Sequence, residues 1–178
     1  MTPGIRWTGI LPTEIVKNIA TLGPLGYWTK MPGTVGSFAG LFWYTLAFHF
    51  ASPIGYLLLL LASLYIAAAF CGEAEIRLFK QDPPEVILDE FVCIPICFIG
   101  LQGAMVMLGY WAWVMLLMGF LIFRVFDIFK PLGIKKMQNL PGGYGVVADD
   151  VVAAIATCVL LNLLWFLYRV NSAPFNGG

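Results

Sequence analysis

The sequence predicts an all-α integral membrane protein, a bundle of about five hydrophobic helices with one or two short enough to be re-entrant. Three observations predict it. The 178 residues are 60% hydrophobic and only 11% charged, whereas soluble domains run nearer half apolar and a quarter charged. The apolar residues gather into five runs separated by prolines, glycines and charges. The ionisable residues collect at the ends of those runs, where a bilayer costs them least.

Residues 1–36 are mixed and read as an N-terminal interfacial segment. Glu14, Ile15, Val16, Ile19 and Ala20 give it a short amphipathic helix suited to a membrane surface. No signal peptide is evident. The turn Lys30-Met31-Pro32-Gly33-Thr34-Val35-Gly36-Ser37 has two readings. Ser or Thr caps a helix there, or Gly33, Thr34 and Ser37 form an anion cradle. The transmembrane domain is expected over residues 37–170, with a loose polar tail at 171–178.

The first apolar run, Phe38 to Phe50, is short for a span. Ser52-Pro53 turns the chain, and Ile54 to Phe70 is long enough to cross. Its continuation, Glu73 to Lys80, alternates in charge and reads as helix emerging into water until Pro83-Pro84 ends it. Glu85 to Ile99 is the third run, with Asp89-Glu90 at its start. Gly100 to Gly103 breaks the chain tightly. Ala104 to Phe129 follows, carrying Trp111 and Trp113 as an interfacial belt. Val146 to Val170 is the fifth run.

If all five runs cross in alternating directions, nine of the ten basic residues share one side: Arg6, Lys17, Lys30, Arg77, Lys80, Arg124, Lys130, Lys135 and Lys136, with Arg169 opposite. That asymmetry makes the charged side cytoplasmic. All ten acidic residues fall there too, so every ionisable group can meet at one membrane face. Cys71, Cys93, Cys97 and Cys158 read as small buried hydrophobes, and His49, at the far end of the first run, as a boundary residue.

Five candidate catalytic and metal-binding carboxylates sit at segment ends: Asp89, Glu90, Asp127, Asp149 and Asp150. Crowded together they repel one another and take up protons unless cations offset them. Arg124 and Lys130 supply two charges, and Mg²⁺ suits a few carboxylates with a substrate phosphate. Arg124, Asp127 and Lys130 recur every three residues and share a helix face. Arg binds phosphate bidentately, Lys adds a point charge, and Asp127 either orders Arg124 or binds metal. Gly142, Gly143 and Gly145 before the last run allow close backbone approach to an anion. The bland alternatives are snorkelling for Arg124 and Lys130 and helix-dipole capping for Asp149-Asp150.

Asp89-Glu90-Phe91-Val92, the block from Phe123 to Pro131 and the block from Gly142 to Asp150 together resemble the signature of bacterial phosphatidylglycerophosphatase A. The turn from Pro32 to Ser37 and Asp82-Pro83 match in the same order, so the resemblance runs over about residues 30 to 160. Cys93, Gly133 and Ala154 depart from it at packing or loop positions, and Lys30 is an unusual neighbour of the first turn. The resemblance implies a Mg²⁺-dependent phosphatase of the bacterial inner membrane, active at the cytoplasmic face. It implies conversion of phosphatidylglycerophosphate to phosphatidylglycerol in phospholipid biosynthesis, with no nucleic-acid partner. Water or a carboxylate is the nucleophile. The rival function is a carboxylate-based cation or proton transporter, disfavoured because the acids cluster at one face instead of lining the membrane depth.

Overall fold

The computed structural model describes residues 7–129 and 143–172. Every regular element among them is helical. α1 (Thr13–Ala20) is the expected amphipathic helix, burying Val16 and Ala20. α2 (Pro32–Trp43) runs on into a π-helical turn, Tyr44–Phe48. α3 (Pro53–Leu78), α4 (Leu88–Cys93), α5 (Gln102–Leu108), α6 (Ala112–Phe129) and α7 (Gly143–Ser172) follow.

Three stretches are long and apolar enough to cross a membrane: Pro53–Leu78, Gln102–Phe129 and Tyr144–Ser172. The second is α5 and α6 joined through a break at Gly109, whose φ of 52° departs from helix. The protein is therefore a membrane protein, and among the described residues three helical stretches have the length and composition of a span. α4 has six residues and its 3₁₀ continuation, Ile94–Phe98, has five, well below the roughly 20 that a span requires. Pro95 explains the tighter winding, because it has no N–H to donate to an α-helical ladder.

This short segment sits inside the protein. Every residue from Val92 to Phe98 is buried. Buried carbonyls outside a regular helix need other donors, and side chains supply them. Tyr56 Oη donates to Pro95 O at 2.5 Å. Asn162 Nδ2 donates to Ile99 O at 3.2 Å. Gln102 Nε2 reaches Phe48 O, His49 O and Ala51 O, closing the end of the π-helical turn.

Those contacts fix an alternating order. Gln102 brings the 49–52 and 99–101 turns together at one end. At the other, Arg77 binds the N-terminal segment. Its guanidinium donates to Leu11 O, Thr13 Oγ1, Thr8 O and Gly9 O, and it pairs with Glu73 at 2.8 Å. Glu73 is buried. The expectation that Glu73 to Lys80 simply emerges into water is thus corrected: Glu73 is packed inside, and Arg77, paired with it, clamps residues 8–13. α3 ends at Leu78, with Phe79 left-handed at φ 52°, a turn before Pro83-Pro84.

α2 also begins earlier than expected. Met31 precedes it with no side-chain cap, and Pro32 occupies the first turn, where a missing N–H costs nothing. Thr34 and Ser37 lie within the helix, so neither is the cap, and the boundary expected at 36/37 falls inside α2. Its inward face is Gly33, Gly36, Ser37 and Gly40. A Cβ on Gly36 would come within 2.8 Å of Ile87 O, and one on Gly40 within 2.7 Å of Phe91 O. Small residues at this spacing let α2 lie directly on α4.

Candidate active site

The close approach of α2 to α4 places Gly33 against Glu90, and a Cβ at Gly33 would overlap Glu90 Oε1. Glu90 and Asp89 open α4 at the same end of the bundle. α7 arrives beside them with Asp149 and Asp150 in its second turn. Asp89, Asp149 and Asp150 are each 4% exposed. Dipole capping acts on the first turn of a helix, which in α7 holds no acid, so capping does not account for the pair.

Oxygens of Asp89, Glu90 and Asp150 converge within 4.8 Å of one another. Asp149 is displaced from that group; its Oδ1 accepts from the Asp150 backbone N–H at 3.2 Å. Asp127 stands on the other side of the cluster. It receives Arg124 Nη1 at 2.5 Å and lies beside Asp150. Arg124 Nη1 also reaches Ser37 Oγ at 3.4 Å and Glu90 Oε1 at 3.9 Å. Ser37 Oγ itself donates to Gly33 O at 2.8 Å. Arg124 is thus steered by α2, α4 and its own helix, while its Nε and Glu90 Oε2 are buried with no hydrogen-bond partner among the described residues.

Burial dominates the electrostatics, because a carboxylate out of water is costly. It pushes the Asp89 carboxyl well above the ordinary range, and the neighbouring Glu90 adds to this. Glu90 is pushed up to about 8, first by burial and then by the charge of Asp150. Among the described residues, Arg124 alone does not neutralise the group. A hard divalent cation fits what is there: three converging carboxylates and a buried oxygen on Glu90 with no partner among the described residues.

A family model described as phosphatidylglycerophosphatase A matches residues 18–165, which takes in every residue of this site. The chain belongs to that family. A relative from Escherichia coli strain K12 named phosphatidylglycerophosphatase A is 31% identical over 133 residues, covering 74% of this chain and 72% of that protein. One of the same name from Haemophilus influenzae is 26% identical over 156 residues, 82% and 91% of the two chains. A Bacteroides thetaiotaomicron protein provisionally named a phosphatidylinositol-3-phosphatase is 33% identical over 155 residues, 84% and 93%. No solved structure matches. The protein is a membrane phosphatase of phospholipid metabolism.

The candidate site brings together Asp89, Glu90, Asp150, Asp127, Arg124, Ser37 and Gly33 from the residues expected in it. Thr34 is different: its N–H is engaged by Met31 O at 3.1 Å, so that part of the proposed anion cradle is already bonded. Gly143 and Gly145 lie within α7, not in a turn preceding it, and Gly145 is buried. Lys130 and Gly142 lie outside the described residues. Three residues that shape the bundle escaped the sequence reading. Gly36 and Gly40, four apart in an apolar run, carry a known signal for close helix approach. Arg77 carried none, because its partners in the N-terminal segment are three backbone carbonyls and the Thr13 hydroxyl, far away in the chain.

Proposed function

We propose that the protein hydrolyses the terminal phosphate of phosphatidylglycerophosphate, giving phosphatidylglycerol and phosphate, in a Mg²⁺-dependent reaction at the cytoplasmic face of the bacterial inner membrane. The observation that carries this reading is the meeting of Asp89, Glu90 and Asp150 within 4.8 Å, beside an arginine with an unpartnered Nε. The relatives' names support the substrate. The basic residues at the site end of the bundle support the orientation.

Asp89, Glu90 and Asp150 would hold Mg²⁺, which when bound supplies charge neutralisation and Lewis acidity at phosphate oxygens. Arg124, whose Nη1 reaches Glu90 of the same cluster, would stabilise charge on the phosphoryl group as it transfers. Asp127 and Ser37 fix the guanidinium plane, so the arginine is aimed before substrate arrives. Asp127 is in this arrangement an orienting carboxylate, and Asp149 supports Asp150 through the backbone. Gly33 leaves the gap in which Glu90 stands. The enclosure excludes bulk water and so strengthens each of these interactions.

Phosphate release from phosphatidylglycerophosphate in detergent, with Mg²⁺ and then with EDTA, tests the reading. Release that EDTA stops and Mg²⁺ restores is expected. No release from this lipid in saturating Mg²⁺, with release from a phosphorylated inositol lipid, would move the substrate to that class.

A further inference from the structure

Among the described residues, the seam between α2 and α6 runs from the candidate site onto apolar surface. It is built in rungs. Arg124 meets Ser37 at the polar end. One turn back along α6, Phe120 meets Phe38 edge to face, with ring centroids 6.1 Å apart. One turn further, Leu116 faces Leu41, Phe42 and Thr45 across a groove of about 170 Å³. Leu116, Phe120 and Arg124 recur every four residues and so form one stripe of α6. Elsewhere the neighbouring helices close up. Gly36 and Gly40 draw α2 onto α4, and Gly119 meets the ring of Phe98 so closely that a Cβ there would stand 2.5 Å from it. Past the Phe38–Phe120 contact, the α2–α6 seam is lined instead by Leu41, Phe42, Thr45 and Leu116.

We propose that this groove seats an acyl chain of the lipid whose phosphate is hydrolysed. The inference rests on the phosphatase reading above and adds the route by which the lipid reaches the site. Leu116 lies eight residues from Arg124, or about 12 Å along the helix, so the groove begins where a lipid's head group gives way to its chains. Its lining is apolar apart from Thr45, whose hydroxyl already donates to Phe42 O at 2.9 Å. Phe38 and Phe42 are 51% and 59% exposed, so the groove is open on its bilayer side. Its volume exceeds the roughly 150 Å³ of an apolar cavity that admits benzene. A second copy of the chain would need a far wider complementary face than these five residues offer.

The test compares Leu116→Trp with wild type on two substrates, long-chain phosphatidylglycerophosphate and its deacylated, water-soluble head group. Filling the groove is expected to raise KM for the long-chain lipid about tenfold, equivalent to losing roughly two buried methylenes. Hydrolysis of the head group should stay within twofold of wild type. An unchanged KM for the lipid, or equal losses on both substrates, would overturn the proposal.

A second arm does not depend on turnover. Asp150→Asn protein in nanodiscs is photolabelled with phosphatidylglycerophosphate or phosphatidylcholine bearing the same diazirine chain. Labelling of Phe42 and Leu116 by the first at least fivefold above the second supports the seat. Equal labelling marks ordinary bilayer contact and overturns it. If wild type hydrolyses neither substrate, the phosphatase reading fails, and the labelling ratio still decides the groove.

Discussion

At the level of single residues, the site is a balance between the cost of burying carboxylates and the groups that offset it. Asp150→Asn removes one of three converging oxygens and is expected to lower kcat by about 10³-fold, a loss of the size seen when one charge-stabilising group is deleted. The protein should still be expressed and folded, which gel filtration in detergent would check. Arg124→Lys keeps the charge but loses the planar fork that Asp127 and Ser37 hold, so phosphate binding should weaken about tenfold or more; the KM for lipid measures it. Gly33→Ala drives a methyl into the Glu90 carboxylate. It should cost about 1–3 kcal/mol in stability and about 10² in rate, since a displacement of 1 Å at a reacting centre has that effect. The raised carboxyls set a pH dependence. Metal-free folded protein keeps the Glu90 proton up to about pH 8, whereas the unfolded chain releases it near 4.5. Over that window the unfolded state holds fewer protons, so stability falls as pH rises. Melting temperatures in EDTA should therefore drop between about pH 5 and 8, and the increment on adding Mg²⁺ should grow over the same range.

At the level of elements, the short segment of α4 and its 3₁₀ continuation is the piece that the others serve. It presents Asp89 and Glu90 at one end, and at the other its irregular backbone is satisfied by Tyr56 and Asn162. The run from Glu85 to Ile99 was legible as apolar and as short. Its depth inside the bundle was not, because hydropathy does not distinguish lipid from protein as an apolar surrounding. The same limit applies to Glu73 to Lys80, whose charge alternation resembles a solvated helix until its partners are known. Arg77→Met would leave Glu73 buried without its cation and free residues 8–13 from α3. Breaking a buried pair in this way costs about 3 kcal/mol. Thermal unfolding in detergent should register it, with kcat per folded molecule close to wild type because Arg77 is outside the carboxylate cluster.

Across the whole molecule, the alternating helices deliver acids from α4, α6 and α7 and small residues from α2 to one end. That end carries the excess of Lys and Arg, which places it in the cytoplasm under the proposed orientation. With the four native cysteines replaced, a cysteine at position 80 should react with an impermeant maleimide only in inside-out vesicles, and one at position 171 only in intact spheroplasts. Composition established membrane residence, because a chain with so few charges offers little else that water will solvate. The order of motifs also identified the family, since the chemistry needs those residue types whatever holds them. Distances between helices were decided only by packing. Which three of five acids converge, that Asp127 turns to Arg124, and that α2 and α6 part to leave a groove all depend on side-chain volumes at contacts far apart in the chain. A glycine at 33, 36 or 40 is one letter in the sequence; in the bundle it sets how near Glu90 can stand to Arg124.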